Sequence, residues 1–120
     1  MNKRVKLAVD EVLAKSDQPP IIIIQGDHGS ASTFYTDEKG GWHQPTSIQL
    51  KERMRILNAY YLPKGRPDEL GPDFTPVNTF RLILNEYLNA DLKLLPNYSY
   101  FSNYVTPYQF KNVTKEVIFK

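Results

Sequence analysis

A carboxylate and an imidazole stand side by side at Asp27-His28, between Gly26 and Gly29. An oxygen donor and a nitrogen donor can converge on one divalent cation, and this pair suits Zn²⁺ or Mn²⁺ best, with Mg²⁺ or Ca²⁺ as harder alternatives. The flanking glycines let the backbone turn sharply, so that both side chains can point the same way. Asp and His in a glycine-rich turn more often cap that turn by hydrogen bonds. A catalytic metal usually takes about three protein ligands and keeps one position open, so these two residues would make only part of a site.

Few other residues are placed to help. His43, the second of two histidines, follows Trp42 in a polar stretch, where it could swing toward an ion or substrate or remain a solvated loop residue. Arg81 carries a fork that fits an anionic group, although a structural ion pair is its commoner use. Ser30, Ser32 and Thr33 read as turn and loop residues. With no cysteine, a disulfide framework, a thiolate site and a cysteine nucleophile are excluded. Fifteen Lys and Arg against thirteen Asp and Glu leave a net charge of only +2 with no long run of either sign, which speaks against a nucleic-acid partner. The tyrosine-rich tail lacks the interleaved cations of a base-stacking platform.

The elements that would position Asp27-His28 come from periodicity. Val5, Ala8, Val9, Val12 and Leu13 recur at helical spacing, which predicts a helix from Asn2 to about Lys15 with one buried stripe. Pro19-Pro20 stops it, and Ile21–Ile24 follow as a strand with no alternation, the pattern of a central strand buried on both faces of a parallel sheet. Asp27-His28 then lies where the chain leaves that strand, the edge at which open α/β sheets bind ligands. The segment to Pro45 reads as a long loop. A short helix over Ser47–Arg53, a strand over 56–62 and a helix from Thr75-Pro76 to near Asn89 come next, the last with Val77, Phe80, Leu84, Tyr87 and Leu88 on its buried face. The rest reads as an extended tail packed by its aromatic rings, with a short strand over Glu116–Phe119. At 120 residues this is one domain, or part of one. The chain as given shows no export signal and no apolar run of membrane-spanning length, so it reads by default as cytoplasmic.

The run Pro20-Ile-Ile-Ile-Ile-Gln-Gly-Asp-His-Gly29 resembles the late metal-binding strand of the alkaline phosphatase and sulfatase superfamily. Ile56–Pro63, Pro76–Arg81 and Leu94–Tyr100 are similar to bacterial sulfatase-like proteins, many of which are membrane-anchored. The resemblance implies an α/β fold, part of an alkaline-phosphatase-like domain with a buried, mostly parallel sheet flanked by helices. It implies that Asp27 and His28 ligate a divalent cation, and that the nucleophile and other ligands of a phosphate- or sulfate-ester hydrolase or phosphotransferase lie upstream of anything in this chain. Residues 1–120 would then be a single partial domain, inactive alone. Its partner would be the missing N-terminal part or a complementary chain, with self-association in its absence. A rival reading is a small non-catalytic α/β module that binds a partner protein through Ser30–Pro45 and the aromatic tail.

Overall fold

The computed structural model describes residues 2–34, 42–71 and 74–118. Among these residues four helices and four short strands follow in chain order: α1 (Lys3–Lys15), β1 (Ile22–Gln25), α2 (Ser47–Met54), β2 (Asn58–Tyr61), α3 (Pro76–Leu88), β3 (Tyr100–Phe101), β4 (Lys111–Asn112) and α4 (Thr114–Val117). The strands form two separate antiparallel pairs, β1 with β2 and β3 with β4. This overturns the expectation of an alkaline-phosphatase-like fold with a buried, mostly parallel sheet: no strand among the described residues is parallel to another. The isoleucine run misleads because apolar continuity records what a strand could bury, not which strand pairs with it. Here Ile22, Ile23 and Ile24 lie opposite Tyr61, Tyr60 and Ala59, and every residue of β1 is only half-buried.

Local signals set the helix ends. Thr46 and Gln49 form a reciprocal capping box on α2, the side chain of each answering the backbone of the other. Asn2 caps α1 by accepting from the Arg4 amide at 3.0 Å. At α3, Thr75 holds the N-cap position ahead of Pro76, yet its hydroxyl turns to Asn97 Oδ1 at 2.8 Å instead of capping the helix. That helix closes on Asn89 in the left-handed region, φ 52°.

Packing departs from the expected faces. No residue of α1 is buried, and Val12 and Leu13 of its apolar stripe are exposed. On α3 the buried face is Asn78, Thr79, Leu82 and Ile83, while Val77, Phe80 and Leu88 face outward. Polar anchors decide this: Thr79 Oγ1 meets Tyr60 Oη at 2.9 Å and accepts from Gln25 Nε2 at 3.2 Å, which seats the helix on the β1–β2 ribbon. Asn78 brackets the incoming segment, donating to Leu95 O at 2.7 Å and accepting from Leu95 N at 2.8 Å.

The main core lies elsewhere, where Phe34, Leu50, Phe101, Val113 and Val117 close on one another with Ala31, Trp42 and Met54 at the rim. It joins α2, α4 and β3. Of the tail's rings among the described residues only Phe101 is buried; Tyr98, Tyr100, Tyr104, Tyr108 and Phe110 are exposed, against the expectation of a packed aromatic tail. Glu116 and Val117 of the strand expected over Glu116–Phe119 lie instead in a helical turn, Thr114–Val117, and Phe119 lies outside the described residues. No helix among the described residues is long and apolar enough to cross a membrane.

Candidate functional site

The chain leaves β1 at Gly26, whose amide donates to Leu57 O at 2.8 Å and so extends the ribbon by one pair. Asp27 and His28 follow directly, both exposed. Gly29 then presses against the end of α2: its amide donates to Arg53 O at 2.7 Å, and a Cβ there would collide with the carbonyl oxygens of Glu52, Arg53 and Arg55. The glycine is required by this close approach. Asp27-His28 is therefore pinned between a strand end and a helix end.

Asp27 Oδ1 accepts from the His28 amide at 3.0 Å, which is the turn-capping bond, while Asp27 Oδ2 lies 3.5 Å from His28 Nε2. The two contacts engage different carboxylate oxygens. On the far side of the ring, His28 Nδ1 is 2.8 Å from Gly29 O and 2.7 Å from Arg53 Nη1. Arg53 Nη1 also donates to Gly29 O at 3.1 Å, and its guanidinium sits 5.4 Å from the centre of the Trp42 ring.

Behind the pair, the loop is tied to α2 by Glu52. Its Oε1 accepts from the Ser32 amide at 2.9 Å and from the Ser32 hydroxyl; its Oε2 accepts from the Thr33 amide at 3.2 Å and from the Thr33 hydroxyl. These donors, the Ser32 hydroxyl first and the Thr33 hydroxyl next, hold the Glu52 carboxyl down at about 2, against an ordinary 4.5. Gln49 adds a bond from Nε2 to Thr33 O at 3.0 Å. Glu52 and Arg53 carry no motif, and only their consecutive placement on a capped helix facing a Ser-Ala-Ser-Thr turn could have drawn notice to them.

Asp27, His28 and Arg53 open on a wide trough of about 1390 Å³, walled by Trp42, Tyr60, Tyr61, Phe74, Tyr98 and Phe101 among others. Arg53, Arg55 and Arg66 line it, and Asp27 is the one carboxylate among the described residues that do. The other candidates lie apart. His43 faces a smaller hollow with Gln44, Phe101 and Lys111, and Arg81 sits on α3 with Nη1 donating to Lys93 O at 3.3 Å.

Two ligands of a four-coordinate ion, each about 2.1 Å from the metal, stand roughly 3.4 Å apart. The Asp27 Oδ2 to His28 Nε2 distance of 3.5 Å fits that spacing. Gly29 O is placed to accept a proton from Nδ1, the usual outer partner of a metal-bound histidine. The pair thus fits two adjacent positions of a shell, and no group of three or more His, Cys, Asp or Glu is gathered among the described residues. Compared with known proteins, the chain matches no family model, no curated protein and no solved structure.

Proposed function

We propose that this chain contributes half of a divalent-metal centre, with Asp27 and His28 as ligands, to an enzyme that hydrolyses or transfers a phosphate or sulfate ester. The observation that carries the reading is the 3.5 Å separation of Asp27 Oδ2 and His28 Nε2, with a carbonyl waiting at Nδ1. The resemblance of Pro20–Gly29 to the metal-binding strand of sulfatase-like proteins supports the same pairing. When bound, Zn²⁺ or Mn²⁺ supplies a Lewis acid and a template for the ester. The chain's own part is to orient two ligands on a pinned turn. An N-terminal part of the domain or a complementary chain brings the nucleophile and the remaining ligands.

Thermal unfolding with and without Zn²⁺ or Mn²⁺ tests this. A metal at 100 times its dissociation constant adds about 2.7 kcal/mol, and Asp27→Ala or His28→Ala should each remove the gain. A cooperative transition indifferent to metal would defeat the reading. It would favour the non-catalytic protein-binding module, which the outward rings Tyr104, Tyr108 and Phe110, 83 %, 89 % and 66 % exposed, otherwise support.

A further inference from the structure

Arg53 holds His28 in a form that cannot bind metal. A guanidinium only donates, so at 2.7 Å His28 Nδ1 must accept from Arg53 Nη1. The neutral ring then carries its proton on Nε2, facing Asp27, and neither nitrogen has a lone pair left for an ion. Ligation through Nε2 requires the proton on Nδ1, donated to Gly29 O at 2.8 Å. Nδ1–H and Nη1–H would then point at one another across 2.7 Å, so Arg53 must turn away before the ion can enter.

What would draw it away is an anion. No carboxylate pairs with Arg53 among the described residues, and its remaining N–H donors have no partner there. Arg66, which shares the trough, already gives Nε and Nη2 to Leu70 O. The guanidinium itself lies over the Trp42 ring, its carbon 5.4 Å from the ring centre, so a turn along the trough wall exchanges that ring contact for the anion. A planar fork with open donors matches the paired oxygens of a tetrahedral oxyanion. The aromatic trough beside it has room for the organic part of an ester.

We propose that Arg53 is an anion-binding residue whose capture of a phosphate or sulfate group releases His28 Nδ1 and so switches the Asp27–His28 pair into its metal-binding form. This rests on the metal reading above and deepens it. Because linkage is reciprocal, an oxyanion tightens metal binding and metal tightens oxyanion binding by the same factor.

The test is Mn²⁺ binding to the full chain, followed by water-proton relaxation at constant ionic strength in chloride, sulfate or phosphate. Sulfate and phosphate should each tighten Mn²⁺ binding by at least about fivefold over chloride, the lower end of ordinary coupling. In Arg53→Met, Mn²⁺ should bind in chloride as tightly as the parent does in sulfate, and the anion dependence should vanish. Arg53→Lys keeps the charge without the fork and should retain only part of the coupling. Mn²⁺ binding by the parent that ignores the anion overturns the inference alone. So does an anion dependence that survives in Arg53→Met, since the anion would then be seated on the metal or elsewhere. Absence of Mn²⁺ binding in every sample overturns the metal reading and this inference together.

Discussion

Glu52 accepts from two amides and two hydroxyls of Ser32 and Thr33, so protonating it turns an acceptor-only group into one that competes with four donors. Its folded-state carboxyl titrates at about 2, below the ordinary 4.5. A depressed carboxyl contributes stability that is complete above its unfolded value and is lost as the pH falls toward its folded value. The stability difference between the parent and Glu52→Gln should therefore be largest above about pH 5 and shrink steadily toward pH 2. Urea unfolding of both proteins across that range measures it; a difference constant with pH would show that Glu52 acts through packing alone. At this scale the sequence was half legible. Asp27 and His28 announce themselves because they are adjacent and flanked by glycines. Glu52 and Arg53 meet the turn from about 20 residues further along, and a Glu-Arg step on a polar helix has no local mark of such a role.

The turn and α2 form one unit, and Gly29 is the joint. A methyl group there meets the carbonyls of Glu52 and Arg55 and comes within 2.9 Å of Arg53 O, all backbone atoms that cannot rotate aside. Gly29→Ala should destabilise the protein by about 1–3 kcal/mol, the ordinary cost of overpacking. It should also weaken metal binding, because the displaced turn no longer offers Gly29 O to His28 Nδ1. Chemical denaturation together with a metal titration checks both; Gly26→Ala, where an added Cβ finds only ordinary contacts no closer than 3.6 Å, is the control. The start of α3 could be read ahead because Thr75-Pro76 is a local signal, and the Thr46–Gln49 box that fixes the start of α2 is local as well. The buried face of α3 could not. Apolar spacing favours Val77, Phe80 and Leu84, whereas Asn78 and Thr79 turn inward to satisfy Leu95, Tyr60 and Gln25, partners visible only once the chain has folded. Strand pairing fails for the same reason, since four isoleucines do not name their neighbour.

The radius of gyration is 17.3 Å, where a closed domain of this length has about 14 Å. The chain exposes 9145 Å², whereas a closed monomer of 13.9 kDa exposes roughly 6,700 Å². The excess of about 2,400 Å² exceeds what one partner contributes to an ordinary interface, about 800 Å², and is on the scale of obligate assemblies. Much of it is apolar: Leu7 on α1, Val77, Phe80 and Leu88 on α3, and Tyr98, Tyr100, Tyr104, Tyr108 and Phe110 of the tail all face outward. Because α1 buries nothing, tertiary packing does not support it, and an unsupported helix of 13 residues is marginal in water. Dilute chain should therefore exchange its α1 amides nearly as fast as an unfolded peptide, while α2 and α3 are protected. At rising concentration, sedimentation should show mass above 13.9 kDa, with protection of the uncovered helices growing in step. A chain that stays monomeric at every concentration with α1 protected throughout would mean that these surfaces are closed by the molecule itself, and the case for a further part of the domain or a complementary chain would lose its physical ground.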